Sequence, residues 1–301
     1  MKKYAIAAIG ELLWDVLPNA EVLGGAPVNF AYHVTALGAE GIPISTVGND
    51  LRGARAMAEL RRRGVETAGI SVAEGRPTGY VDIALDTLGV ATYSFPAEVA
   101  WDCLQVNGFA RDLQDRLDAV CFGTLAQRSA ESRRTIRDFL DGLRPGTVRI
   151  YDVNLRQNFY SREIVESSLN RADILKLSDE ELPLLAKLLG LGREKKRLWL
   201  KLLLERFGLS LAILTRGSRG SLLLTPAGSS DHSGIILADT ADTIGAGDAF
   251  TAAVTIGYLG KMALGHINDL ANRLAAYVCT RQGAMPDIPE TLKMTNGRIA
   301  G

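Results

Sequence analysis

Three cysteines and three histidines in 301 residues are too few, and too scattered, to build a disulfide framework or a zinc centre. Cys103, Cys121 and Cys279 are odd in number and no CxxC occurs, while His33, His232 and His266 form no HExxH or other paired-ligand spacing. No apolar run approaches the roughly 18 residues of a membrane span. Net charge is absent too, with 34 basic and 34 acidic side chains, which argues against non-specific binding to nucleic acid or a membrane surface. The basic runs RRR (61–63) and REKKR (193–197) sit in helical patterns and read as solvated helix faces. The opening MKKYAIAAIGELLWDVLP has the look of a secretory leader, but Glu11 and Asp15 interrupt it early and no A-x-A site follows. It reads instead as the first strand of a cytoplasmic protein. GxxxxGK[ST] and a GxGxxG after the first strand are both missing, which removes the P-loop and the dinucleotide fingerprint.

What is present is a chain 47% apolar, enough for one large core, with a regular alternation from about residue 117 onward. LDAVCFG, TVRIYDV, DILKL and LSLAILT are strand-like; SAESRRTIRDFLDGLR, REIVESSLNRA and DEELPLLAKLLG between them are helical. Such alternation with short connections predicts a mostly parallel sheet with helices on both faces. Two stretches break the rhythm. Residues 78–95, TGYVDIALDTLGVATYSF, alternate apolar and polar around a turn at Gly89 and predict a hairpin with one wet face. With a segment near 11–24, a segment near 76–98 is expected to form a small β lid beside a single α/β domain over 1–301. ILTRGSRGSLLLT reads as strand–turn–strand with Gly217 and Gly220 at the bend.

Four clusters carry chemistry. DTIGAGDAF, 242–250, places Gly245, Ala246 and Gly247 before Asp248 at the start of a helical run, after the strand-like GIILAD. Free N–H groups at a helix start suit a phosphate, held here without a motif lysine. GELLWDVLP and GGAPVNFAYHVTALG bring Asp15, Gly24, Gly25 and Asn29, a set of donors and acceptors fit for a polyol. YDVNLRQNFY sets Asp152, Asn154 and Arg156 at a strand's C-terminal end, the functional edge of such a sheet. LKLSDEEL puts Glu181 after another strand end, where it could organise metal-bound water near phosphates or serve only as a helix-start acid.

In order along the chain, GELLWDV, GGAPVNFAYHVTALG with TVGNDLRG, AEVAWD, CFGTLAQRS, DVNLRQ, LKLSDEEL, LTRGSRGS and DTIGAGDAF resemble the ribokinase-like (PfkB) carbohydrate kinase family, most of all its bacterial fructokinases. The likeness covers nearly the whole chain and implies an ATP-dependent sugar kinase. By resemblance, Asp248 is the catalytic base and the backbone of Gly245, Ala246 and Gly247 the anion hole. Asp15, Gly25, Asn29 and Arg156 hold the sugar, and Gln127 and Arg128 approach the sugar or phosphate. Thr215, Gly217 and Gly220 line the nucleotide site, with Asn272 near adenine. Magnesium rides on the ATP phosphates with Glu181 acting through water, and Asp242 with the carbonyl near Ile244 resembles a monovalent-cation site for potassium. The family's Asn-x-x-Glu reads Ser178-Asp-Glu-Glu181 here, which takes an amide out of the magnesium network.

The resemblance thus implies a kinase making fructose 6-phosphate from D-fructose. The hairpin at 78–95 should close over the sugar, and because its apolar residues would otherwise be too exposed, a homodimer through the lid is a further expectation. Other readings are a kinase of ribose, 2-keto-3-deoxygluconate or a nucleoside, and a catalytically silent sugar-binding protein. At the start of a helix Asp248 is expected to be ionised.

Overall fold

The computed structural model describes residues 3–85, 91–295 and 298–299. The strands at the centre of the larger sheet are apolar and buried on both sides, as strands inside a covered parallel sheet must be, and all the strands that build the two main sheets are short. They are β1 (Ala5–Ile9), β2 (Leu13–Leu17), β3 (Ala20–Gly24), β4 (Glu40–Gly48), β5 (Ile70–Ala73), β6 (Gly79–Leu85), β7 (Ala91–Ser94), β8 (Ala119–Gly123), β9 (Val148–Asp152), β10 (Ile174–Ser178), β11 (Leu211–Thr215), β12 (Ser221–Thr225) and β13 (Gly228–His232). The helices are α1 (Ala26–Ala36), α2 (Leu51–Arg62), α3 (Gly108–Asp112), α4 (Ala130–Asp141), α5 (Arg162–Leu169), α6 (Glu181–Leu189), α7 (Lys196–Arg206), α8 (Ala246–Leu259) and α9 (Leu264–Cys279).

Among the described residues the main sheet has nine strands in the order β13-β12-β11-β10-β9-β8-β1-β4-β5. It is parallel from β5 to β11 and turns antiparallel at β12 and β13. Strand parity divides the core. Ile6, Ala8, Cys121, Ile150 and Ile174 face α1, α8 and α9, whereas Ala7, Ile9, Phe122, Tyr151 and Leu175 face α3 to α7. A second sheet of four strands, β3-β2-β6-β7, stands beside the first. The covered, mostly parallel sheet is what the alternation predicts, and with the small sheet beside it the architecture is the ribokinase-like one that the resemblance implies.

Two local expectations change, and one falls outside the described residues. GIILAD is not a strand: the chain from Ser233 to the start of α8 has no regular structure, and Ile236 is 95% exposed. An apolar run with no sheet neighbour cannot hide its side chains by pairing. Of REKKR, only Lys196 and Arg197 are helical, though all five are exposed. The turn at Gly89 lies outside the described residues; the strands on either side do pair, Asp82 to Ser94 and Leu85 to Ala91.

Helix α1 is set by a close approach. A Cβ at Gly41 in β4 would stand 2.0 Å from the Ala31 carbonyl oxygen and 2.7 Å from Thr35 Oγ1. Backbone atoms of a packed helix cannot yield that far without moving the helix. Gly41→Ala is therefore expected to destabilise the fold by about 1–3 kcal/mol in denaturant titration; a change below about 0.5 kcal/mol would mean that α1 is free to shift.

Candidate active site

Along the C-terminal edge of the main sheet runs a cavity of about 1090 Å³, closed on one side by the small sheet. That edge is where open α/β sheets bind ligands. Parity in β2 decides what the small sheet contributes. Leu13 and Asp15 face the cavity. Trp14 points the other way, donates from Nε1 to the Arg52 carbonyl at 3.1 Å and lies under the Arg55 guanidinium. The tryptophan of GELLWD is thus no part of the site.

Asp15 needs its glycine neighbour, since a Cβ at Gly24 would come within 2.9 Å of Asp15 Oδ2. Gly25 precedes α1 with φ 105°, where a Cβ would strike the Glu11 carbonyl at 2.5 Å. Burial pushes Asp15 up to about 6, Arg156 works against this and Asp242 adds to it. Arg156 itself is exposed over the cavity. The loop that carries it has left-handed turns at Asn154 (φ 43°) and Gln157 (φ 47°), and Gln157 Nε2 ties it to the Tyr93 carbonyl of the small sheet at 2.6 Å.

At the centre, Gly245 takes φ 77° and has Ala284 packed against it, with a would-be Cβ only 2.5 Å from the Ala284 carbonyl. Any larger residue would unseat the helix start. Within the first turn of α8, Ala246 reaches back to the Thr243 carbonyl at 3.4 Å and Ala249 closes on Gly245 at 2.9 Å. Among the described residues Gly247 and Asp248 then have no backbone acceptor for their N–H groups. Asp248 is half-buried, with its carboxyl opening on the cavity, and Oδ2 accepts from Asn29 Nδ2 at 2.9 Å.

The positive charge beside this turn comes from Lys176, a residue that motif reading passed over. In Ile174-Leu175-Lys176 the apolar residues split between the two faces, so Lys176 falls on the face of α8. It pairs in register with Asp152 of β9. Its Nζ donates to Asp152 Oδ1 at 2.9 Å and lies 3.2 Å from where a Cβ on Gly247 would be. Thr251 Oγ1 gives Asp152 Oδ2 a second hydrogen bond at 3.0 Å. Burial opposes the Lys176 charge, but Asp152, Glu181 and Asp248 outweigh it and keep the ammonium above its ordinary range. A phosphate at this helix start is therefore not left to backbone alone. The signal was available: one lysine at a strand end, on the parity of the buried residues.

Asp248 differs from expectation. Burial, then the nearby Asp152, pushes it up to about 7, against the hydrogen bond from Asn29 and the charges of Lys176 and Arg156. Crowding outweighs the helix start, so the group titrates near neutrality rather than staying ionised.

Other expected residues divide. Thr215, Gly217, Gly220, Asn272, Glu181 and Ile244 line the cavity. Asn272 has given its amide to Ser221 Oγ and the Asn268 carbonyl, both at 2.8 Å. Glu181 accepts from the N–H of Leu155 at 2.8 Å and of Ser178 at 2.7 Å, and the Ser178 hydroxyl accepts from Glu181 N at 3.2 Å, a reciprocal cap. Asp242 bridges the N–H groups of Ile244 and Gly283 at 2.9 and 3.2 Å. Gln127 and Arg128 are not brought to the cavity. The Gln127 amide is buried on the Gly123 carbonyl and Ser168 Oγ; Arg128 forks onto Asp102 and stacks on Trp101. The turn of 3-10 helix after β8 rotates both away.

A covered sheet with its cleft at the carboxyl edge, a small sheet beside the cleft and a glycine-rich helix start facing a half-buried acid define a ribokinase-like sugar-kinase architecture. The chain belongs to the pfkB family carbohydrate kinases, whose model matches residues 19–291. It is 30% identical to the uncharacterized sugar kinase PH1459 of Pyrococcus horikoshii over 97% of this chain and 96% of the other. A structure of that protein superposes with a TM-score of 0.81 at 29% identity, covering 97% and 98% of the two chains, and another was solved in complex with ATP. The Escherichia coli fructokinase is 25% identical over 93% of this chain and 95% of its own. A Vibrio cholerae fructokinase, solved with fructose, ADP and potassium, shares the fold at a TM-score of 0.82 and 23% identity over 96% of each chain.

The raised Asp248 has a consequence for stability. A carboxyl whose folded pKa, about 7, exceeds its unfolded value near 3.8 stabilises the fold fully below the lower figure, and that contribution is lost as pH rises through the upper one. Asp248→Asn removes the charge. It should leave stability little changed at pH 4 and raise it by about 1–3 kcal/mol at pH 8. Equal unfolding free energies at pH 8 would show that Asp248 is not crowded.

Proposed function

We propose that this carbohydrate kinase transfers the γ-phosphoryl group of ATP to a primary hydroxyl of a sugar, D-fructose foremost, with Asp248 as the base. The observation that carries the reading is the shared position of a half-buried acid, a helix start with free N–H groups and the Lys176 ammonium in one cavity. The ATP complex of the related PH1459 supports the nucleotide, and the fructokinases among the relatives support the sugar.

The sugar lies between Asp15, Gly25, Asn29 and Arg156, under Leu13, Val81 and Ile83 of the small sheet, which acts as a lid. The triphosphate runs past Thr215, Gly217 and Gly220 toward Gly247. The base accepts the O–H of the sugar hydroxyl, while the N–H groups of Gly247 and Asp248 and the Lys176 ammonium face the phosphoryl oxygens. As the new P–O bond forms, the bond to ADP breaks and the hydroxyl proton passes to the Asp248 carboxylate. A loose phosphoryl-transfer transition state asks little of a base until late, so positioning and charge stabilisation carry most of the rate.

Magnesium would be carried by the ATP phosphates rather than caged by protein. Glu181 spends one contact per oxygen on backbone N–H groups and keeps lone pairs for its water. When bound, magnesium neutralises phosphate charge. Asp242 and the Ile244 backbone, braced on Gly283, suit a monovalent cation beside the helix start.

Two kinetic outcomes follow from these roles. Asp248→Asn should lose at least about 100-fold in kcat with nucleotide affinity retained, and the rise of kcat/KM through pH 7 should disappear; a variant within about fivefold of the parent would remove Asp248 from the chemistry. In a coupled ADP-release assay across sugars, D-fructose should give the highest kcat/KM. Ribose or 2-keto-3-deoxygluconate exceeding it by more than about tenfold, roughly 1.4 kcal/mol, would reassign the substrate.

A further inference from the structure

Glu11 has no part in the phosphoryl transfer just described, yet it is placed at its heart. It follows β1 by two residues, is only 2% exposed, and lines the cavity. Its Oε2 is fully buried with no hydrogen-bond partner. Asn29, 4% exposed, has the same defect at Oδ1, while its Nδ2 is committed to Asp248. The other buried side-chain atoms without a partner, such as His33 Nδ1 and Trp101 Nε1, belong to residues that do not line this cavity. An unpaired buried acceptor costs about 1–3 kcal/mol. Asp152, a buried acid a short way along the same sheet edge, shows how the fold settles such a group when its role is internal: both oxygens are bonded, to Lys176 and Thr251. Glu11 and Asn29 instead keep one oxygen each unmatched, at the sugar end of the cavity and near Arg156 and Asp248.

We propose that Glu11 is a sugar-binding residue, and that its Oε2 and the Asn29 Oδ1 take hydroxyl groups of the acceptor other than the one phosphorylated. The inference rests on the carbohydrate-kinase reading and adds to it a stereochemical requirement. The acceptor must present two hydroxyls away from the reacting one, and filling both contacts turns its primary hydroxyl toward Asp248. Burial pushes Glu11 up to about 7, while backbone N–H groups of Glu11 and Ala26 and the Arg156 charge work against this and Asp248 adds to it. Near neutrality the carboxyl is thus available in both forms, and either can accept from a sugar hydroxyl. The competing role is purely structural: α1 has no side-chain cap at Gly25, and the Glu11 carboxyl sits by its first N–H groups.

The test measures the parent, Glu11→Gln and Glu11→Ala with D-fructose, D-ribose and 2-keto-3-deoxygluconate, and then with monodeoxy derivatives of the best acceptor. No turnover by the parent with any of these sugars would overturn the kinase reading itself. With turnover established, Glu11→Ala, which removes the acceptor, should raise the sugar KM at least about tenfold, leave the ATP KM within about twofold and keep the thermal midpoint, and Glu11→Gln, which keeps one acceptor oxygen, should raise the sugar KM less. One monodeoxy sugar should cost the parent about tenfold or more in kcat/KM and cost Glu11→Ala less than about threefold, because the partner of the missing hydroxyl is already gone. A lowered midpoint with unchanged sugar KM, or deoxy penalties identical in parent and Glu11→Ala, would make Glu11 a helix cap and overturn the inference. Should the alanine variant not fold, Glu11→Asp, which withdraws the carboxyl by one methylene, carries the same comparison.

Discussion

The ion pair between Lys176 and Asp152 governs the arrangement of everything around it. It joins the C-terminal ends of two adjacent parallel strands in register, on the face that receives α8. A buried pair of this kind gains little net stability, since desolvation offsets the attraction. What it does is specify position. Asp152 reaches through Thr251 to hold the first turns of α8, and Lys176 ends beside Gly247. Remove the register and the helix start loses both its anchor and its cation.

That pair also sets the electrical character of the cavity. Acids arrive from separate segments: Glu11 after β1, Asp15 in β2, Asp152 in β9, Glu181 at α6 and Asp248 at α8. Against them stand Lys176 and Arg156. The excess of carboxyls is tolerated because burial raises Glu11, Asp15 and Asp248 toward neutrality. In the proposed reading, sugar hydroxyls find acceptors there, and a phosphate finds the buried Lys176 ammonium and the helix start. A carboxylate and an anion site can share one helical turn because they address different partners.

Ser178 stands where the resemblance places an asparagine, and it holds Glu181 in its own way. Serine three residues before Glu181 makes a reciprocal cap that orients the glutamate. The glutamate also holds Leu155 N, and so positions the loop that carries Arg156. One side chain thereby couples the start of α6 to the loop after β9.

Features that depend on neighbours in the chain were legible without coordinates. The doubly buried strands, the amphipathic helices, the hairpin beside the main sheet and the glycine-rich start of α8 all follow from periodicity and from glycine's conformational freedom, which act over a few residues. The residues that meet in the cavity could be named where the family's motifs carry them, as with Asp15, Asn29 and Asp248. Where direction depended on a turn, as after β8, Gln127 and Arg128 went elsewhere. Where an apolar run had no partner strand, GIILAD stayed irregular, since apolar content alone does not say what will cover it. Lys176 carried a weak signal, a lone lysine at a strand end on the parity of the buried residues, but such a lysine usually reaches water, and only the parallel register of β9 and β10 gives it a buried carboxylate. The protonation of Asp248 lay furthest from the sequence. A helix start favours the ion, and that is a local rule, but burial and the Asp152 charge decide the outcome, and both are sums over atoms that only the folded chain brings within a few ångströms.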